Sequence, residues 1–328
     1  MKALLSRSPG GPDTLELAEI DAPVAGPGQL LVRVRACAIN FPDVLIIEDK
    51  YQFKPPRPFA PGGEIAGEVA AVGEGVAGWA IGDRVIGACG WNGLAELAVL
   101  PAANAFGLPG NRGFTEGSAL LMTYATAIHA LKDRGRLAAG ETLLVLGAGG
   151  GVGLAAVELG KALGARVIAA ASSDLKAAAA LEAGADKTFV YPVGEVDRKA
   201  LASLFKSAVG PDGANVILDP VGGDYAEAAL RAIAWAGRYL VVGFPAGIPR
   251  LPLNLTLLKS CDVCGVFWGA FAAREPAANA AHVAELFRLW DEGRIAPKVS
   301  ATYPLARAGE AIAALGARSV VGKLVVTL

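Results

Sequence analysis

From Thr142 to Ala171 the chain reads TLLVLGAGGGVGLAAVELGKALGARVIAAA, the segment richest in chemical content. A buried strand runs into a glycine-rich turn, an amphipathic helix and a second buried strand, one βαβ unit with a phosphate-sized gap at its turn. Glycine lets the backbone approach an anion closely, and the first turn of a helix offers N–H groups that lack partners. The strict G-x-G-x-x-G spacing fails from Gly147, whose sixth position is Val152. Started at Ala148 it holds with alanine first, followed by Gly150 and Gly153. The context strengthens the pattern, because it follows a strand and opens a helix. The additional Gly147, Gly149 and Gly151 exceed what a turn alone requires. Gly150, Gly151, Val152 and Gly153 are therefore the candidates to face the pyrophosphate of a dinucleotide.

The end of the second strand chooses between two dinucleotides. An NAD site places an Asp or Glu about 20 residues on, against the ribose hydroxyls. Here Ala171, Ser172 and Ser173 stand where that acid would lie. Both serines can hydrogen-bond a 2′-phosphate, and Lys176, one turn into the next helix, adds positive charge. Asp174 competes, but it lies past the strand end and is expected to cap the helix. The expected cofactor is NADPH; the plain alternative for Lys176 is a solvated lysine on a helix face.

The elements around this site fall into two patterns. Up to about residue 120, short apolar runs at 30–36, 63–73 and 83–89 are separated by Gly and Pro, as in a barrel or sandwich. Beyond it, buried strands at 142–146, 166–171, 188–191, 215–219, 238–242 and 262–267 alternate with helices at 151–163, 175–183, 199–208 and 225–234. A helical region at 115–131 precedes them and a helix at 282–293 follows. Alternation of this kind predicts an α/β fold with a doubly wound parallel sheet. The expected division is a β-domain, barrel or sandwich, over 1–122, completed by 268–328, and a dinucleotide-binding domain over 123–267. The tail GKLVVTL is expected to return as a strand of the first domain. The run at 262–267 would lie at a sheet edge, where pairing with a second copy would protect it, so a homodimer is expected.

Lys and Arg number 30 against 31 Asp and Glu, so no basic excess suggests a nucleic-acid partner. No apolar run approaches the ~18 residues of a membrane span. Arg7 interrupts the apolar start, arguing against a secretory signal, and a cytoplasmic protein is expected. Cys261-x-x-Cys264 has no second ligand pair, and two buried or strand-borne thiols are favoured over a redox or zinc pair.

These residues resemble the medium-chain dehydrogenase/reductase superfamily, in its zinc-free NADPH:quinone oxidoreductase (zeta-crystallin-like) branch. The resemblance rests on AINFPDVL (38–45), KYQFKPPRPFAPGGEIAGEV (50–69), MTYATAIHAL (122–131), GAGGGVG (147–153), DPVGG (219–223), GRYLVVGF (237–244) and GARSVVGKLVV (316–326). It implies a GroES-like β-barrel domain with a Rossmann domain between its two parts. It places Lys176 and Tyr191 around the adenosine 2′-phosphate and Arg318 at a further cofactor contact. Asn40, Tyr51 and Thr126 match positions lining the nicotinamide and substrate pocket. Val242, Gly243 and Phe244, with Phe267 and Trp268, match backbone edges that hold the nicotinamide amide.

The departures bear on the chemistry. Zinc alcohol dehydrogenases of the superfamily have a Cys where this chain has Asn40, and a His–Glu pair where it has Gly63 and Glu64. They also carry a four-cysteine lobe that is absent here. With only His129 and His282 in the chain, a three-ligand catalytic zinc site has too few candidates. Leu45 stands where some relatives have a pocket tyrosine, which leaves the substrate open. Without a Lewis acid, hydride transfer suits an acceptor that is already electron-poor, a quinone or an α,β-unsaturated carbonyl (an enone or enal). Asn40, Tyr51 and Thr126 would supply donors to its oxygen. Asp43 and Glu64 are expected to pair with an arginine or to hold the vacated metal region together. Two other readings stay open: an NADPH-binding structural or RNA-binding protein with little turnover, and a zinc-dependent alcohol dehydrogenase.

Overall fold

A computed structural model of the chain describes residues 1–194 and 196–328. The chain divides into two compact units, Met1–Met122 with Pro297–Leu328, and Thr123–Ala296.

In the first unit β1 (Lys2–Leu5) pairs antiparallel with β2 (Glu16–Glu19) as a small separate sheet. The larger sheet is centred on β3 (Gln29–Ile39), which pairs with β4 (Glu64–Val72); β4 pairs in turn with β5 (Arg84–Ala88). The near half of β3 also pairs with β6 (Leu97–Pro101), and β7 (Ala105–Gly107) extends from β5. Along β3, Leu30, Val32 and Val34 are buried while Arg33 and Arg35 face solvent, the period-two pattern of a half-buried strand.

The second unit carries six parallel strands: β8 (Thr142–Val145), β9 (Arg166–Ala171), β10 (Lys187–Val190), β11 (Ala214–Asp219), β12 (Ile233–Val241) and β13 (Asp262–Gly265). They lie in the order β10-β9-β8-β11-β12-β13, the doubly wound order in which the sheet grows outward in both directions from β8. Helices Gly151–Ala162, Asp174–Glu182, Arg198–Val209 and Gly223–Leu230 fill the crossovers. Leu144, Ile168, Ile217, Phe205 and Tyr239 pack in one core between sheet and helices.

The tail returns to the first unit. Strand β14 (Val299–Pro304) lies parallel to β15 (Lys323–Thr327), and β15 pairs antiparallel with β3, Leu324 opposite Ile39. The return comes at Pro297 and not at residue 268. Residues 268–296 stay with the second unit because their side chains are tied there. Trp268 Nε1 donates to Asn279 Oδ1 at 2.9 Å, Lys132 pairs with Glu285, and the Ala296 N–H donates to Glu158 at 3.0 Å.

Three local expectations need correction. The helix expected over 225–234 stops at Leu230, and Ile233 instead opens β12 opposite Ala214, where its branched side chain is fully buried. The helical region at 115–131 is broken into Phe114–Ser118, a π-turn Leu121–Ala125, Thr126–Ile128 and a second π-turn His129–Arg134. Threonines, a tyrosine and an isoleucine crowd that stretch and weaken regular winding. Asp174 is not the cap of its helix. Ser173 is, its hydroxyl accepting from the Lys176 N–H. All four cysteines are free, and no helix of the described residues is long and apolar enough to cross a membrane.

Phe205 is 0% exposed, with its ring 5.1 Å from that of Phe189 and 6.4 Å from that of Tyr191. Phe205→Ala is expected to lower the unfolding free energy of the second unit by about 3–5 kcal/mol. Urea titration followed by circular dichroism checks this; a loss under about 1 kcal/mol would contradict the packing described.

Candidate functional site

Candidate residues gather in two places, one in each unit. In the second unit the chain leaves β8 through Gly147, whose φ of 57° suits glycine. Gly150 is extended, with φ −85° and ψ 170°, and forms the N-cap of the helix Gly151–Ala162. A Cβ on Gly153 would collide with the Gly147 carbonyl oxygen, so only glycine lets the helix seat this close to the turn. The N–H groups of Gly151, Val152 and Gly153 form the first helical turn, which no preceding helical carbonyl can satisfy. This is a cradle in which backbone and dipole both favour an anion.

The end of β9 meets this turn. A Cβ on Gly149 would come within 2.5 Å of Lys176 Cβ, so the lysine stem lies across the glycines. Lys176 Nζ donates to Ser172 Oγ at 3.2 Å, while Ser173 is engaged as the helix cap. Asp174 is exposed at the first position of the helix. Ser172, Ser173 and Lys176 are therefore brought together beside the glycine turn. The Tyr191 N–H donates to the Ala171 carbonyl at 2.9 Å, but its ring is buried, 4.7 Å from the ring of Tyr225.

Further along the same sheet edge, Asp219 ends β11. Its Oδ1 accepts from the Val221 and Gly222 N–H groups, both at 2.8 Å, and its Oδ2 from the Tyr239 hydroxyl. The Asp219 carbonyl accepts from the Val242 N–H at 3.0 Å, which sets the start of the segment through Gly243 and Phe244. Phe267 follows β13 and is partly exposed, whereas Trp268 is buried against Asn279. All these segments leave the carboxyl ends of the parallel strands, the side on which such sheets bind ligands. Thr126 is half-buried between the two π-turns of the second unit. Arg318 belongs to the first unit, exposed at a φ of 56°.

The first unit holds a buried polar cluster. Asn40 follows β3 and is the N-cap of the helix Phe41–Ile47; its backbone N–H donates to Asp43 Oδ2 at 2.8 Å. The Gly62 N–H donates to Asp43 Oδ1 at 2.8 Å. Glu64 Oε1 accepts from the Met122 N–H at 2.9 Å, and Oε2 from Asn40 Nδ2 at 3.0 Å. Asn40 Nδ2 also reaches the Ala38 carbonyl at 3.2 Å. The cation paired with Glu64 is Lys323, not an arginine. Its Nζ donates to the Ile39 carbonyl at 3.1 Å and to Asn40 Oδ1, and lies 3.4 Å from Glu64 Oε2. Sequence reasoning missed Lys323; the signal was a cation opening an otherwise apolar terminal strand.

Burial sets the electrostatics. It pushes the Asp43 carboxyl up to about 6 despite two backbone donors. It also raises the Cys37 thiol and pushes Cys89 up to about 12. The Tyr51 phenol is raised by burial and then by the Asp43 carboxylate near it. A zinc ion does not fit this cluster: the Lys323 ammonium occupies the place beside Asn40 and Glu64. Among the described residues no group of three or more His, Cys, Asp or Glu could hold a metal.

Comparison with known proteins agrees with both patterns. Residues 26–127 match the family model for the alcohol dehydrogenase GroES-like domain, and residues 151–284 that for zinc-binding dehydrogenase. A Nematostella vectensis quinone oxidoreductase-like protein 2 homolog is 38% identical over 92% of this chain and 82% of its own. Rattus norvegicus quinone oxidoreductase is 31% identical over 95% of this chain and 92% of its own. The structure of Escherichia coli quinone oxidoreductase complexed with NADPH superposes with a TM-score of 0.92 at 28% identity, covering 100% of both chains. With relatives aligned along most of its length and both units matched, the chain belongs to the medium-chain dehydrogenase/reductase superfamily, in its zinc-free quinone oxidoreductase branch.

Proposed function

We propose that this protein is an NADPH-dependent, zinc-independent reductase of quinones or α,β-unsaturated carbonyls. The observation that carries the reading is the Ser172–Lys176 pair at the end of β9, beside the glycine cradle. An ammonium and a hydroxyl suit a 2′-phosphate, and no acid takes the place an NAD ribose would need. The first helical turn at Gly151 to Gly153 would face the pyrophosphate. When bound, NADPH supplies the hydride. The protein holds it in place, and such positioning is worth on the order of 7–11 kcal/mol of barrier.

Charge on the reduced acceptor needs a donor, and Tyr51 is the proposed one. Its raised phenol stays protonated at neutral pH, so it donates a hydrogen bond and does not act as a base. The Lys323 ammonium disfavours a divalent cation beside Asn40 and Glu64, which supports a mechanism without a Lewis acid. An electron-poor acceptor can take hydride without that help. The rat and Escherichia coli proteins named quinone oxidoreductases, the latter complexed with NADPH, support the same cofactor and acceptor class.

The test follows absorbance of the reduced cofactor after the chelated protein is mixed with NADPH or NADH and small quinones or enals. NADPH is expected to be consumed in preference, with no effect of the chelator. Lys176→Ala is expected to weaken NADPH binding about 10–100-fold and leave NADH binding unchanged. No turnover across quinones and enals, or activity lost on chelation, would overturn the proposal.

The burial of Asp43 has a stability consequence of its own. Asp43 titrates at about 6 in the fold against an ordinary value of 3.8, so the fold favours its protonated form. That contribution is complete below the unfolded value and is lost as pH rises through the folded one. It amounts to about 3 kcal/mol between roughly pH 4 and pH 6. Urea unfolding over this range is expected to show the wild type losing that much relative to Asp43→Asn; a pH-independent difference would refute it.

We also propose a homodimer. β13 is an edge strand of its sheet, and its Val263 is 43% exposed. Pairing with a second copy would satisfy the open edge. Sedimentation in dilute solution is expected to give twice 33.3 kDa, and a monomer mass would reject the idea.

A further inference from the structure

We propose that Lys323 is a positioning residue: its buried ammonium, set against the Glu64 carboxylate, locks the side-chain amide of Asn40 in one orientation and thereby holds the segment that carries Asp43. The activity arm of its test rests on the reductase reading above; the structural arm does not.

A lysine ammonium can only donate and a carboxylate can only accept. Asn40 Oδ1 receives Lys323 Nζ, while Asn40 Nδ2 gives one hydrogen to Glu64 and the other to the Ala38 carbonyl. Turning the amide over would set its NH₂ against the ammonium and its oxygen against the carboxylate. The orientation of an asparagine, ordinarily ambiguous, is here dictated by its neighbours.

Burial says that the arrangement is not kept for stability alone. The Lys323 and Glu64 side chains are 6% and 1% exposed. Two ions this deep lose hydration that their attraction does not fully return, and apolar residues would join the strands at least as well. The pair acts where three strands end together: Leu324 is opposite Ile39, and Ala38 is opposite Glu64. From Asn40 the chain of contacts continues through its backbone N–H to Asp43, the carboxylate near Tyr51. Lys323 thus reaches the proposed donor without touching it.

One consequence changes the role of Asn40. Both hydrogens of its amide are spent inside the protein, so it has none left for an acceptor oxygen. The donor expected there from sequence is a fixed strut, and donation falls to Tyr51.

The test compares Lys323→Met, Lys323→Arg and the neutral pair Lys323→Met/Glu64→Gln in otherwise intact protein. The side-chain ¹H–¹⁵N signals of Asn40 are assigned by their loss in Asn40→Asp. In the wild type these hydrogens are expected to exchange slowly with water. In Lys323→Met they are expected to exchange at least about tenfold faster, and in Lys323→Arg to remain largely protected. With NADPH and a quinone, Lys323→Met is expected to lower kcat about tenfold while KM for NADPH stays within about twofold. If Lys323→Met fails to fold because Glu64 is left unpaired, the neutral double variant is read instead, with the same loss of amide protection expected. Unchanged Asn40 exchange in Lys323→Met, or in the neutral double variant where that one does not fold, overturns the assignment, whatever happens to melting temperature or turnover. Changed exchange with no quinone turnover in any form, wild type included, supports Lys323 and rejects the reductase reading.

Discussion

The contact on which the second unit depends is the approach of Gly153 to the Gly147 carbonyl. A single methyl group there would push the helix off the turn, because the obstacle is backbone and cannot rotate aside. Close seating has two effects at once. It buries Leu154 and Ala155 against the sheet, and it brings the first helical N–H groups to the mouth of the turn. Packing and anion binding are therefore one requirement. The Lys176 stem laid over Gly149 extends the same economy of space to the neighbouring strand, since any side chain at 149 would displace the cation.

The first unit solves a different problem. Its sheet closes with a strand from the far end of the chain, and that strand brings Lys323 into a place with two buried carboxylates. A lone buried carboxylate beside Glu64 would be costly, yet Asp43 is accommodated by two backbone donors and a shifted titration. The result is a cluster that satisfies itself. Each polar atom of Asn40 and each carboxylate oxygen of Glu64 and Asp43 has a partner within the protein.

Much of this was legible in the sequence because local signals and tertiary packing agreed. β9 falls at Arg166–Ala171 as its apolar run predicts, and the helix after the glycines begins at Gly151. Legibility failed where a long-range partner decided the outcome. Ile233 and Ala234 continue a helical pattern, but pairing with β11 makes them strand. Ser173 and Asp174 are both good caps, and only the geometry shows which hydroxyl or carboxylate faces the free N–H. The residues from 268 to 296 are amphipathic helices that could have packed on either unit. Trp268–Asn279 and Lys132–Glu285 decide it, and neither pairing is visible in spacing. Lys323 was hidden for the same reason: its partners are 259 to 284 residues away.

A self-satisfied cluster constrains the proposed chemistry more than an incomplete one would. Groups already paired have no capacity to take up new charge without losing a partner, so the Asn40–Glu64–Lys323 network is poorly suited to polarise an alcohol or an isolated carbonyl. Metal-assisted oxidation needs an electrophile that draws charge from the substrate oxygen. Here the one cation in that network is neutralised by Glu64 and capped by the Ile39 carbonyl and Asn40. Under the proposed reading the driving force resides in the acceptor itself, which is electron-deficient before it arrives. On that proposal the protein contributes orientation and the Tyr51 phenol, which match acceptors that are already reactive toward hydride.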